Sequence, residues 1–222
     1  MSIKKLSKDV FAKFVDSLIS SEKVIGVQAK GDRFEFSPLR SAAKLRLDYD
    51  VTLQSPRKYF QPPVETLMTF EVLGACKSTI DNEKFIIIGV HPYDMVAINQ
   101  MDELFSQDNY DVHYMKRRQN AVVIASDVVT PSKNVFASSM GTAVVKDGFD
   151  ILLTDIGDAY LAEGATDKGK ALMAKAVGVV DADDKDLKAR QQVWDKNQES
   201  LNKHKLNCKP SDLPGLLEKA YT

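Results

Sequence analysis

The chain has 222 residues, of which 44% are hydrophobic and 27% charged, as is typical of globular domains. Its 30 basic and 31 acidic residues nearly cancel, which argues against a nucleic-acid-binding protein, because such proteins carry a basic excess. The longest apolar run, 85–90, is far shorter than the roughly 20 residues that span a bilayer. The first residues of the sequence lack the apolar segment of a signal peptide, so we predict no membrane insertion and a cytoplasmic location.

The N-terminal segment is predicted to form a helix over 8–20, with Ser7 as a suitable N-cap. The apolar residues at helical spacing are Val10, Phe11, Phe14, Val15 and Leu18. A β-hairpin follows, with strands at 24–30 and 33–36. Four prolines interrupt the pattern over 37–70, where we expect short strands and an extended loop.

The middle of the chain predicts a β–α–β unit. Residues 85–90 and 121–125 are short apolar runs typical of buried strands, and a helical pattern over 95–105 separates them. Asp94 is expected to cap this helix. Because two strands joined through a helix normally lie parallel, we predict an α/β fold: a mixed sheet with flanking helices and a C-terminal helical arm.

The C-terminal third predicts two further strands, at 149–154 and 159–162, and a helix over 166–177. From Asp181 the sequence becomes rich in Asp, Lys, Gln and Asn. We therefore divide the chain into an α/β domain over 1–180 and a helical arm or linker over 181–222. The arm is expected to pack only through a narrow apolar stripe and otherwise to reach outward. The stripe consists of Leu187, Val193, Trp194 and Leu201.

No catalytic motif is complete. Residues 164–170 have the G-x-x-x-x-G-K spacing of a phosphate-binding loop, but Ala171 stands where the magnesium-binding hydroxyl belongs. We interpret this segment as a polar turn in which Thr166 caps a helix. The G-x-S-x-G and G-x-G-x-x-G patterns are absent from the sequence, so an enzyme acting by itself is not indicated.

One possible ligand site is visible from position alone. His91 and Asp94 follow the predicted strand 85–90, and open α/β sheets bind ligands beyond the carboxyl ends of their strands. The alternative interpretation of His91 is an ordinary loop histidine. If the site is real, the chain is a free-standing small-molecule-binding domain.

Four segments together resemble a known family. They are 55–63 (SPRKYFQPP), 89–94 (GVHPYD), 128–141 (VVTPSKNVFASSMG) and 148–157 (GFDILLTDIG). In order and spacing they are similar to the N-terminal part of iron–sulfur electron-transfer subunits. The family comprises the β subunits of cytoplasmic sulfhydrogenases (Ni-Fe hydrogenase/sulfur reductase) and the related iron–sulfur subunit of anaerobic sulfite reductase. The resemblance runs from about residue 50 to the end of the chain.

The resemblance implies a function in anaerobic metabolism. Members of the family relay electrons between a flavoprotein and a catalytic subunit, so the chain is expected to be a non-catalytic electron-transfer or scaffolding subunit of a hydrogenase, sulfur-reductase or sulfite-reductase complex. In the family, a ferredoxin-like domain with [4Fe-4S] clusters follows this region. We expect [4Fe-4S] clusters only in a ferredoxin-like domain beyond Thr222. Residues 181–222 would connect the α/β domain to it.

The chain departs from the family at four positions where members typically carry cysteine. These positions hold Tyr93, Val128, Val135 and Ala137. None of these side chains supplies a thiolate, and the two cysteines present are too few for an all-cysteine cluster site. The resemblance therefore implies a degenerate former cluster site, with no metal or other cofactor in this chain. We expect the four positions still to converge, with Tyr93 in contact with the 135–137 segment. The space is then filled by an apolar cluster of Tyr93, Val128, Val135 and Phe136.

Overall fold

A computed structural model describes residues 3–221. The strands are β1 (Ile3–Ser7), β2 (Val24–Lys30), β3 (Arg33–Pro38), β4 (Met68–Phe70), β5 (Cys76–Ser78), β6 (Phe85–Val90), β7 (Ala121–Ser126), β8 (Ile151–Asp155), β9 (Ala159–Gly164) and β10 (Val180–Asp181). The helices are α1 (Lys8–Ser21), α2 (Pro92–Ser106), α3 (Val112–Asn120), α4 (Asp167–Met173), α5 (Asp184–Ser200) and α6 (Leu213–Ala220). None of the helices within this range is long and apolar enough to cross a bilayer.

Eight strands form one mixed sheet in the order β10-β1-β9-β8-β7-β6-β2-β3. The four strands β2, β6, β7 and β8 pair in parallel, and the outer pairs are antiparallel. In the centre, Ile86 lies opposite Val122 and Ile88 opposite Ile124. The predicted parallel pair and the α/β class with a mixed sheet are confirmed.

Helices cover both faces of this sheet. Side chains of β6 alternate between two cores: Ile86 and Ile88 pack on the side of α1, whereas Phe85 and Ile87 pack on the side of α2 and α3. A strand buried on both faces needs apolar side chains at every position, which explains the uninterrupted run that marks β6 in the sequence.

Three helix starts were predicted from capping residues, and two are confirmed. Ser7 Oγ accepts a hydrogen bond from Val10 N at 3.3 Å, and Thr166 Oγ1 accepts one from Gly169 N at 3.1 Å. The prediction that Asp94 caps α2 is wrong. The cap position is His91, because Pro92 has a fixed φ suited to the first helical residue and starts the helix earlier.

The C-terminal segment packs differently from the prediction. The face of α5 toward the sheet is largely polar: Arg190 is buried and pairs with Glu163, and Trp194 Nε1 donates to Asp127 Oδ2 at 2.9 Å. Leu201 is fully buried, but Leu187 is 39% exposed. The prediction that this segment packs only through an apolar stripe is therefore wrong, because an ion pair and a hydrogen bond also hold α5 against the sheet. The boundary between 1–180 and 181–222 stays a prediction.

Candidate functional site

The candidate site lies where the central parallel strands end. His91 directly follows β6, and Asp127 directly follows the neighbouring strand β7. Both side chains are buried, although both are polar. Parallel strands present their carboxyl ends at one edge of a sheet, so the topology brings these two groups to the same edge. The location predicted for His91 is therefore correct.

His91 is enclosed by two tyrosines. Its ring stacks on that of Tyr49, with centroids 3.9 Å apart and planes 4° apart. Its Nδ1 atom lies 2.5 Å from the hydroxyl oxygen of Tyr93, and the Tyr93 hydroxyl donates its proton to the backbone oxygen of Asp50 at 3.3 Å. The Tyr49 hydroxyl donates to Gly89 O at 2.7 Å, which ties the stacking partner to the end of β6.

Burial determines the charge state of His91. It lowers the pKa of the imidazole to about 3, so the ring is neutral at physiological pH. The Nε2 atom is buried and has no hydrogen-bond partner among residues 3–221. A neutral, enclosed imidazole is suited to fixing the shape of this edge of the sheet rather than to transferring protons near neutral pH.

Asp94 bonds to a different partner from that of His91. Ser55 Oγ donates to Asp94 Oδ1 at 3.1 Å, which links the start of α2 to the loop before it. Burial raises the pKa of Asp94 to about 6, and the hydrogen bond from Ser55 acts in the opposite direction. Burial also raises the pKa of Tyr93 far above its usual value. The predicted pair His91 and Asp94 thus lies on one short segment, with each residue held by a separate hydrogen bond.

The four positions of the proposed former cluster site do converge. Val128 and Ala137 are buried in one small core with Ala143 and Leu201, and Tyr93 and Val135 pack against it. The expected contact between Tyr93 and the 135–137 segment is therefore confirmed. That these positions descend from cluster ligands stays a prediction.

The side chains at this junction do not fit an iron–sulfur cluster. They offer carbon atoms and one phenol, whereas such clusters need thiolates. Cys76 lies in β5 and Cys208 near α6, both outside the small core around Val128. Within the described part of the chain, no group of three or more His, Cys, Asp or Glu side chains is placed to hold a metal ion.

The converging segments leave space between them. A pocket of about 290 Å³ lies against Tyr93, Val135 and Ala137, with Asp50 at its rim. Phe136 lines this pocket and is 45% exposed. The prediction that Phe136 fills the space is wrong, because its side chain lies at the surface of the pocket instead of inside the core.

Several residues of this edge were missed in the sequence. Tyr49, Asp50 and Ser55 come from the irregular 37–70 segment, whose position relative to β6 depends on long-range packing. Asp127 had a visible signal, because it is a charged residue directly after a buried strand.

A comparison with known proteins finds one informative relative. The chain is 26% identical over 220 residues to "Sulfhydrogenase 2 subunit beta" of Pyrococcus furiosus. The match covers 98% of this chain, and the chain spans 64% of the length of that relative. No family model matches the sequence. This distant similarity supports the part of the resemblance that concerns sulfhydrogenase β subunits.

Proposed function

We propose that the chain is a non-catalytic subunit of a cytoplasmic hydrogenase-like redox complex, with an electron-transfer or scaffolding role. The observation that carries this proposal is the similarity over 98% of the chain to a protein named as a sulfhydrogenase subunit. The complex would be of the hydrogenase, sulfur-reductase or sulfite-reductase kind that the resemblance of the four segments implies. The partners would be a flavoprotein and a catalytic subunit.

The chemistry of the candidate site supports a role without catalysis. The junction around Tyr93 and Val128 is lined mainly by carbon, and the neighbouring imidazole of His91 is buried and neutral. We accordingly propose that this chain holds no iron–sulfur cluster within its 222 residues, since two cysteines are too few for a four-thiolate site. Any [4Fe-4S] cluster would belong to a further ferredoxin-like domain.

An exposed apolar hairpin supports assembly with other subunits. Among residues 3–221, strands β4 and β5 pair only with each other, and every residue in them is exposed. Phe70 is 73% exposed, and Val72 in the turn is 89% exposed. A two-stranded hairpin is marginal in water by itself, and clustered exposed apolar side chains mark interaction surfaces. The hairpin is suited to burial against a partner.

Purification from native cells tests the proposal. We expect a chromosomally tagged chain, isolated without oxygen, to bring down a flavoprotein and a hydrogenase-type catalytic subunit in fixed stoichiometry. The purified fraction should reduce a viologen dye with hydrogen. Recovery of the tagged chain alone, with hydrogen-dependent activity remaining in the unbound fraction, would contradict it. The untagged strain controls for adventitious binding.

A second candidate function rests on the pocket of about 290 Å³ beside Tyr93. Tyr93 lines this pocket and contacts the enclosed His91 behind it, which would suit a free-standing small-molecule-binding domain. Native mass spectrometry separates the two functions. A lone chain that retains a small molecule favours this second candidate, whereas a multisubunit particle favours the redox subunit.

A further inference from the structure

The pocket of about 290 Å³ beside Tyr93 has walls that solvent can reach. Among the side chains that line it, Val51 is 56% exposed, Phe136 45% and Met140 36%. Its volume lies just below the usual range for drug-sized ligands, so a molecule of one or two rings fits. An accessible lining of aromatic and apolar side chains favours a ligand with an apolar body.

Asp50 is the one charged residue in the lining of this pocket. Its Oδ1 atom accepts a hydrogen bond from Val51 N at 2.7 Å, which orients the carboxyl group. Asp50 is partly exposed, so a ligand can reach the carboxyl group from the pocket. Among residues 3–221, no lysine, arginine or histidine side chain forms an ion pair with it.

The ring of Tyr93 lies in the field of two carboxylates. Burial is the main reason that the pKa of Tyr93 is raised, and the negative charges of Asp94 and Asp50 raise it further. The ring stands edge-on to that of His91, with centroids 5.2 Å apart and planes at 74°, so its orientation is fixed. An aromatic ring attracts a cation over its face, and neighbouring carboxylates strengthen that attraction.

Basic side chains in the sequence neighbourhood do not cancel this charge. Lys133 lies between two residues of the lining, but it is exposed and does not itself line the pocket. Arg46 pairs with Asp48 at 2.7 Å. An anionic ligand would therefore lie beside Asp50 with no cation in the lining to bind it, whereas a cationic ligand would meet an unpaired carboxylate.

We propose that this pocket binds an organic ammonium ion with an apolar body, such as an aromatic amine. The ammonium group pairs with Asp50 and lies near the rings of Tyr93 and Phe136, while the body covers Val135 and Met140. The inference rests on the second candidate function, because it names the ligand class for the same pocket. It does not depend on the proposed redox complex.

Three ligands of similar shape test the role of charge. Phenethylammonium is the cation, phenethyl alcohol is its neutral counterpart, and phenylacetate is an anion of the same length. We would titrate the full chain with each and follow the methionine methyl groups in a proton–carbon NMR spectrum. Met140 reports on the pocket. Met68 in β4 is 56% exposed and reports on general association with apolar surface in the same sample.

We expect a saturable shift of the Met140 methyl signal with phenethylammonium and no shift of the Met68 signal. The alcohol should bind about tenfold more weakly, because it lacks the ion pair and the cation–π contact. Phenylacetate should produce no saturable shift, because it carries the same charge as Asp50.

Two variants test the assignment of groups. Asp50→Asn keeps an oxygen for Val51 N but removes the charge, so the affinity for phenethylammonium should fall about fivefold while that for the alcohol stays the same. Phe136→Leu keeps apolar surface but removes the ring, so it should weaken binding of the cation more than binding of the alcohol. Asp108→Asn, at an exposed acidic position elsewhere, changes the net charge equally and should leave binding unchanged.

The proposal is overturned if phenethylammonium binds no more tightly than the alcohol, or if Met68 shifts together with Met140. Binding of the alcohol or of phenylacetate alone would overturn it while leaving the second candidate function in place with a different ligand class. A lack of any Met140 shift with all three compounds also overturns it, and unchanged affinity in folded Asp50→Asn removes Asp50 from recognition. The comparison of the three ligands on the wild-type chain is decisive even if a variant fails to fold.

Discussion

At the scale of single residues, Asp94 gives the clearest electrostatic prediction. Its carboxyl group is partly buried beside Ser55, and this desolvation raises its pKa from 3.8 to about 6 in the folded chain. In the unfolded chain the group titrates near its ordinary value. Between these two pKa values the folded state binds more protons than the unfolded state, so this group makes the fold less stable as pH rises through about 6.

We expect Asp94→Asn to stabilise the chain at pH values above 6. The amide oxygen can still accept from Ser55, and no buried charge remains. The free energy of unfolding should rise by on the order of 2 kcal/mol at neutral pH, and this gain should fade as pH falls below 6. Urea denaturation of the wild-type chain and the variant at a series of pH values measures this difference in the free energy of unfolding. Equal stability of the two proteins at every pH would show that Asp94 is not held in a desolvated position.

His91 illustrates what the sequence reveals at this scale and what it does not. Its place after a buried apolar run predicts its position at the sheet edge. Its stacking on Tyr49 is not predictable in the same way, because Tyr49 lies far earlier in the chain, in a segment without periodicity. The contact depends on how the irregular loop folds over the sheet, which no local pattern encodes.

At the scale of elements, the irregular end of β6 determines how His91 is presented. The register of the β6–β7 pair shifts between Ile88 and Val90, and Gly89 between them has a φ of +95°. A Cβ atom there would lie 3.0 Å from Leu47 Cδ2. The positive φ therefore favours glycine at this position, and a Cβ atom would also displace the end of the Leu47 side chain slightly.

We expect Gly89→Ala to lower the free energy of unfolding by about 2 kcal/mol, the usual cost of a left-handed conformation for an L-residue. Gly215→Ala is the matched control, because Gly215 lies in α6 with open space around its Cα. Chemical denaturation of both variants compares them. If the two substitutions have the same effect, the strained bulge is not needed to hold the edge of the sheet.

The hairpin of β4 and β5 provides an element-scale test of assembly. Replacing Phe70 and Val72 by Asp should weaken association with the other subunits by at least about tenfold, because charges cannot be buried in an apolar contact. The unfolding midpoint of the isolated chain should stay the same, since both side chains are already in water. Val177→Asp, at a position 90% exposed elsewhere, should change neither property. Full assembly of the double variant would exclude the hairpin as a contact surface.

The elements differ in how well the sequence predicts them. β6 and β7 are buried on both faces, so their apolar runs identify them directly. The elements β1 and α3 were not predicted, because their patterns are weaker. Strand β1 contains two lysines and only one buried residue, Leu6. Helix α3 buries only Tyr114 and Arg117. Their structure is set by pairing with β9 and by packing on α2, which are long-range effects.

At the scale of the whole molecule, the C-terminal segment separates into two parts. Up to Leu201 it packs on the sheet through buried residues, whereas residues 214–221 are exposed. We expect a chain truncated after Cys208 to keep the unfolding midpoint of the full chain. Truncation after Asp183 removes α5 and with it several kcal/mol of stabilisation from buried side chains. The unfolding midpoint of this truncated chain should therefore fall by about 10 °C or more.

Differential scanning calorimetry of the two truncated chains checks this expectation. If truncation after Asp183 leaves the midpoint unchanged, α5 is an independent arm and the boundary near residue 180 is a true domain boundary. The predicted loss instead makes α5 part of the folded unit. In that case only the last helix is available to lead into a further domain.

The central claim, that this chain works within a hydrogenase-like redox complex, is tested most directly by the native mass of the particle that contains it. The chain alone has a mass of 24.7 kDa. Native mass spectrometry of material isolated from its own cells without oxygen should give a larger particle, which on dissociation releases this chain, a flavoprotein and a hydrogenase-type catalytic subunit. A particle that contains only copies of this chain, in cells with active hydrogenase, would contradict the claim.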